Sequence, residues 1–209
     1  MADTNPMSCA VSCESISAHA DFLRLSSVEN LCVNLRYASA ANFMGRDMYS
    51  PLDCAWAHKD AITGLSLSVT WLAQHAPGLR LCVLDALRPQ RVQEAMWAHL
   101  EGTPLTEYLA PPEIGSIHSF GMAIDATLID AGGVELDLGT PFDDMTKLSH
   151  PTLEAGFLES GALSSAQVRH RHLLRDAMRC GGFNGIGTEW WHFDCGDRTR
   201  VRATYARVL

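Results

Sequence analysis

Two short apolar segments carry ionisable side chains, among them His118 and Asp125 in SIHSFGMAID (116–125) and Glu189 and His192 in TEWWHFD (188–194). Two imidazoles and one carboxylate are a common ligand set for a catalytic zinc ion, and they leave the fourth tetrahedral position to water. A spare glutamate beside them could then act as general base. Taken singly, each group has a plainer reading: a satisfied core histidine, a locally paired aspartate, two tryptophans that pack. Together they favour a metal. Ionisable groups inside apolar strands cost several kcal/mol without compensation, and a bound cation supplies it. The spacing His192-x-x-Cys195 is a lesser alternative that would turn the site into a closed structural one.

Backbone periodicity limits how these groups can meet. His118 and Asp125 are seven apart, so one straight strand would point them to opposite faces. Gly121 between them allows a turn or bulge, with His118 coming from a loop and Asp125 from the strand. Glu189 and His192, three apart, pose the same conflict and require a bulge or tight turn near the two tryptophans.

The surrounding sequence supplies the elements. ENLCVNLRYAS (29–39) alternates like a strand and is followed by a turn-rich loop. From Ala55 to about Ala76, Ile62, Leu65, Val69, Leu72 and Ala73 recur at helical spacing until Pro77-Gly78 stops the pattern. LRLCVLDA (79–86) suits a buried strand, and Pro89 opens the helix RVQEAMWAHLE, which puts Arg88 at a strand-to-helix junction. A connecting loop (102–115) leads to the strand MAIDATLI (122–129). A helix capped at Ser164 or Ser165 runs to Gly181-Gly182, and TEWWHFD forms the last strand. Strands and helices mix without strict βαβ alternation. The expected class is α+β, a central, mainly antiparallel sheet flanked by helices with the zinc site at the sheet.

The 209 residues suit one domain, 1–209, with about 1–20 as a loosely ordered lead-in. With 47% hydrophobic and 19% charged residues the chain reads as globular, and no apolar run reaches membrane-spanning length. A net charge of −8 with scattered cations argues against nucleic acid and anionic membranes as partners. MADTNPMSCAVSCESISAHADF lacks the basic start and long apolar core of a secretory signal, so a cytoplasmic location is expected. Seven dispersed cysteines read as reduced thiols, and the Cys9-x3-Cys13 spacing as chance. His170 and His172, two apart on a helix, do not make a metal pair. A homo-oligomer is compatible with all of this.

The two opening segments, S-x-H-x-x-G-x-A-x-D and downstream E-W-W-H, resemble the D-alanyl-D-alanine dipeptidases of the VanX type, zinc peptidases related to D,D-carboxypeptidases. NLRYASAANFMG, DALRP and LDLGTPFDDMTKLSH are similar to the family's opening strand and loop, arginine segment and substrate loop, in the same order. The resemblance implies His118, Asp125 and His192 as ligands of one Zn2+ per chain and Glu189 as base. It further implies that Arg88 steadies the tetrahedral intermediate, Ser116 contacts substrate and Asp143 receives the substrate ammonium. Read without it, those three would be a helix-start arginine, a turn hydroxyl and a loop cap. The implied activity is zinc-dependent hydrolysis of the D-alanyl-D-alanine dipeptide in peptidoglycan precursor or fragment metabolism, with glycopeptide resistance as one setting. The alternative is a D,D- or L,D-carboxypeptidase acting on peptidoglycan stem peptides. The chain departs from the family at Phe120, where arginine is frequent, and at Leu87, where tyrosine is; both are expected to line the pocket. His150 would orient the substrate loop or sit at the surface, and the short 102–115 loop would leave the cavity open.

Overall fold

The computed structural model describes residues 10–209; Cys9 of the C-x3-C spacing lies outside them. In chain order the strands and α-helices are β1 (Ala10–Val11), β2 (Phe22–Arg24), β3 (Cys32–Val33), β4 (Trp56–His58), α1 (Lys59–His75), β5 (Arg80–Asp85), α2 (Gln90–Leu100), β6 (Ala123–Ile129), α3 (Glu154–Glu159), α4 (Ser165–Cys180), β7 (Phe183–Gly185), β8 (His192–Cys195), α5 (Arg198–Thr204) and β9 (Arg207–Val208). Five strands form one sheet in the order β3-β5-β6-β8-β7, antiparallel throughout except for the β3–β5 pair. This is the expected α+β architecture. No helix among the described residues is long and apolar enough to cross a membrane.

One sheet face is apolar and covered. Leu81 and Val83 of β5, Ile124, Ala126 and Leu128 of β6 and Phe193 of β8 pack with Ile62, Leu65 and Leu72 of α1 and Leu174, Ala177 and Met178 of α4. Helix α1 starts where the His58 ring accepts from the Asp60 amide, and α4 where Ser164 and Gln167 form a reciprocal capping box. The two helices approach at Gly64 and Gly181: a methyl group on Gly64 would stand 2.5 Å from the Gly181 carbonyl oxygen. A second cluster, with Tyr37, Tyr49, Trp56, Leu87, Val92 and Met96, packs under α2.

Several boundaries differ from the periodicity. The opening strand keeps only Cys32–Val33, because the chain then leaves the sheet edge and turns through a 3₁₀ segment, Arg36–Ala38, that buries Tyr37. Residues 10–20, expected as part of a loose lead-in, carry β1, parallel to β9, and a 3₁₀ turn that buries Cys13 and Ile16. The last strand is shorter than TEWWHFD: residues 186–191 are irregular and β8 starts at His192. The short strand β7 has no apolar alternation to announce it.

Gly121 ends the 3₁₀ turn Ile117–Phe120 in the left-handed region, φ 65°. A Cβ there would lie 2.8 Å from the His58 backbone nitrogen and 3.0 Å from the Phe22 ring. Gly121→Ala should cost on the order of 1–3 kcal/mol in backbone strain, plus the clash with β4. At roughly 2–4 °C per kcal/mol for a chain of this size, thermal unfolding will show a drop of several degrees. A wild-type melting temperature would mean the turn is not so constrained.

Candidate active site

The uncovered sheet face gathers the polar groups. Asp125 on β6 lies directly opposite His192 on β8, and β5 presents Asp85 opposite Asp125. Asp85 reaches this face through an irregularity: the register of β5 shifts between Val83 and Asp85. Without the shift, alternation after Leu81 and Val83 would aim Asp85 into the helix-covered core. The 3₁₀ turn ending at Gly121 brings His118 alongside from outside the sheet. Thus the seven-residue parity conflict is resolved by a turn at the glycine.

His118 Nε2, Asp125 Oδ1 and His192 Nδ1 converge. His192 Nδ1 is 3.0 Å from Asp125 Oδ1 and 3.2 Å from His118 Nε2, and His118 Nε2 is 3.3 Å from Asp125 Oδ1. All three residues are buried. Each imidazole is anchored through its other nitrogen: His118 Nδ1 donates to the Ala86 carbonyl at 2.8 Å, and His192 Nε2 donates to Asp194 Oδ1 at 3.0 Å. With those nitrogens anchored, the two remaining ring nitrogens face one another and a carboxylate oxygen. Two imidazole nitrogens and a carboxylate oxygen facing one point could hold a cation, and this donor set fits a divalent metal.

The electrostatics follow from that crowding. Burial would push the Asp125 carboxyl up, but His118 and His192 outweigh it and hold the group well below the usual carboxylate range. For His192 burial acts downward, yet Asp194 and Asp125 flank the ring and raise its pKa well above the ordinary value. Asp194 in turn accepts from Arg198 Nε at 2.5 Å. Glu189, on the irregular segment before β8, shares the cavity; burial raises its carboxyl to about 7, with Asp125 adding to the rise against His192 and Arg88.

All three guanidinium nitrogens of Arg88 are hydrogen-bonded. Asp85 Oδ2 accepts from its Nε at 3.0 Å and from Nη2 at 2.7 Å, and Gln93 Oε1 accepts from Nη1 at 3.1 Å. The Asp85 Oδ1 atom takes the Tyr49 hydroxyl and the Ala86 amide, while the Tyr37 ring lies 5.0 Å beneath the guanidinium. Asp143 sits on the loop after β6 at φ 63°, accepting from the Tyr37 hydroxyl and the Phe43 amide, both at 3.1 Å. Burial raises its carboxyl to about 8 despite those bonds. Ser116 caps the His118 turn, its oxygen accepting from the His118 amide, and its hydroxyl proton has no acceptor among the described residues.

These groups line one cavity of about 470 Å3. Arg88, Ser116, His118, Asp125, Asp143, Glu189 and His192 all reach it, as does Trp191, while Trp190 donates from its indole to Thr140 and so ties down the loop that carries Asp143. Phe120 and Leu87 do not line it, contrary to expectation: both are fully buried in apolar packing, with the Arg207 guanidinium over the Phe120 ring. The 102–115 loop, expected to leave the cavity open, contributes Tyr108, Leu109 and Pro111 to its wall, and Tyr108 bonds His150 at 2.9 Å.

Sequence reasoning missed Asp85, Tyr37, Gln93 and Asp194. Asp194 was findable, since two residues beyond His192 on one strand means the same face. Asp85 was not, because its orientation depends on the β5 irregularity.

The raised Glu189 carboxyl gives a pH signature in metal-free protein. A folded pKa near 7 against an ordinary 4.5 means the folded chain holds this proton more tightly, so its contribution is intact below about 4.5 and is lost as pH rises through about 7. Glu189→Gln should therefore raise the melting temperature of the metal-free protein at about pH 8 and leave it unchanged near pH 4.5. Calorimetry showing equal shifts at both values would contradict the burial of that charge.

Comparison with known proteins adds an independent line. A family model described as D-ala-D-ala dipeptidase, of the M15 peptidases, matches residues 19–209. A D-alanyl-D-alanine dipeptidase of Escherichia coli is 41% identical over 165 residues, 79% of each chain. A second protein of that name, from Synechocystis, is 30% identical over 161 residues, 61% of this chain and 64% of its own. With nearly the whole described chain covered by the family model, the protein belongs to the D-Ala-D-Ala dipeptidase family of peptidases.

Proposed function

We propose that the chain is a zinc-dependent dipeptidase that hydrolyses free D-alanyl-D-alanine to two D-alanines. The observation that carries this reading is the convergence of His118, Asp125 and His192 beside Glu189 in one cavity. His118, Asp125 and His192 would hold the metal, with a position left for water. When bound, zinc supplies Lewis acidity toward the peptide carbonyl and lowers the pKa of its water toward about 7.

The remaining chemistry belongs to the chain's own side chains. Glu189 accepts the water proton and returns it to the leaving amine, a role suited to a carboxyl that titrates near 7. Arg88, fixed by Asp85 and Gln93, stabilises the oxyanion without reorienting as charge develops. Asp143 binds the substrate ammonium: its charge is costly while the site is empty of cations, and an ammonium offsets that cost. The Ser116 hydroxyl is free to donate to substrate. Peptidoglycan precursors or fragments are the source of such a dipeptide, and glycopeptide resistance is one setting in which its removal matters. We place the reaction in the cytoplasm, where seven cysteines spread without framework spacing would stay reduced.

Two measurements test this. Glu189→Gln should retain its metal yet lose roughly 10²–10⁴-fold in kcat; loss of metal instead would make Glu189 a ligand. Free D-Ala-D-Ala should exceed N-acetyl-D-Ala-D-Ala in kcat/KM by roughly 30- to several-thousand-fold, because a blocked amine cannot offset the cost of charging the buried Asp143 carboxyl. Comparable values for the two would reject the dipeptidase and favour a carboxypeptidase acting on stem peptides.

A further inference from the structure

A zwitterionic dipeptide carries an anion as well as a cation, and the roles assigned so far leave its carboxylate without a partner. Three arginines line the cavity: Arg88, Arg198 and Arg202. Arg88 is matched by Asp85, and Arg198 by Asp194. Arg202 differs. Its Nε and Nη2 both donate to the neutral Gly115 carbonyl at 3.1 Å, and no carboxylate among the described residues pairs with it. Its guanidinium is half-buried, and it stands one helical turn from Arg198 on α5, a like-charge spacing that is itself unfavourable. Burial and the Arg198 charge both press its pKa downward, as they would for a cation short of an anion.

The surroundings make this charge usable. The two bonds to Gly115 fix the guanidinium plane and leave Nη1 free of protein partners among the described residues. Gly115 precedes Ser116, whose free hydroxyl proton also faces the cavity. Gly115 itself lies at φ 76°, where a side chain would be strained, and a Cβ would press on the neighbouring Arg207 guanidinium at 2.9 Å. Asp143, by contrast, is held on the loop after β6 by Tyr37 and Phe43. The cavity thus holds a carboxyl group with no cationic partner within ion-pair distance and a guanidinium with no anionic partner among the described residues.

We infer that Arg202, helped by Arg198, is the specificity residue that reads the C-terminal carboxylate of the substrate, so that the cavity selects a short peptide with both ends free. The inference rests on the dipeptide reading and extends it from the ammonium end to the carboxylate end. A guanidinium donating to a carboxylate is among the stronger polar contacts, and a neutral amide in its place forfeits the charge while keeping shape.

The test compares D-Ala-D-Ala with its C-terminal carboxamide in wild-type, Arg202→Ala and Arg202→Lys protein. Wild type should favour the acid in kcat/KM by roughly 10- to 150-fold, the range expected of a charged hydrogen bond. In Arg202→Ala the acid-to-amide ratio should collapse toward one through loss on the acid, and Arg202→Lys should restore part of it. If Arg202 only props up Gly115, both substrates will fall together and the ratio will survive, which overturns the inference; so does a wild-type ratio near one. Calorimetric binding of the same two ligands to Glu189→Gln and to Glu189→Gln/Arg202→Ala separates this from the hydrolysis reading. Arg202-dependent preference for the acid without wild-type turnover rejects hydrolysis and keeps the carboxylate site. Turnover without that preference rejects the carboxylate site alone, and no binding of either ligand rejects both.

Discussion

Across three neighbouring strands, Asp85, Asp125 and His192 stand in one row, with His118 closing in from the turn before β6. Two carboxylates in the middle of a sheet, Asp85 0% and Asp125 2% exposed, would each cost several kcal/mol if unpaired. Much of the surrounding architecture is the answer to that cost. Asp85 is matched by Arg88 and further hydrogen-bonded by Tyr49 and the Ala86 amide. Asp125 faces two imidazoles whose other nitrogens are anchored, an arrangement that could hold a cation.

The same bonds link positioning to chemistry. Asp85 fixes Arg88, while the carbonyl of the next residue, Ala86, sets which His118 nitrogen faces the cavity. Asp194 does this for His192 and is in turn held by Arg198, so α5 is coupled to the candidate metal-binding face. Such outer bonds orient the ligands and raise their basicity. Arg202, one turn further along α5, carries the same helix to the Gly115–Ser116 corner of the cavity. Reading both ends of a dipeptide would require these walls to be rigid, and the close Gly64–Gly181 contact and the α4 capping box hold the covered face in place behind them.

How much was legible in the sequence depended on whether a residue's direction follows from local spacing. His118, Asp125, Glu189 and His192 could be grouped because their types are rare inside apolar segments, and the parity conflicts correctly demanded turns at Gly121 and near the tryptophans. Helices α1, α2 and α4 emerged from periodicity, caps and glycine stops. Asp85 could not, since a register shift in β5 reverses the face that alternation assigns to it. The expectation that Phe120 and Leu87 line the pocket came from the family pattern at those positions and fails because both side chains are apolar and turn inward. Arg202 carries no signal in the sequence, since its place at the cavity follows only from the fold bringing α5 against the loop ending at Gly115. Residues 10–20 have little local propensity, and their order comes from pairing with the far end of the chain, which no local pattern encodes.

The central claim, that the converging His118, Asp125 and His192 hold a metal on which hydrolysis depends, is open to one direct measurement: D-alanine release from D-Ala-D-Ala as zinc is titrated into chelator-stripped protein. Activity should be absent without metal, rise linearly and level off at about one equivalent per chain, as expected for a single three-ligand site. His118→Ala should show no such break. A metal-free protein that retains its full rate would contradict the claim.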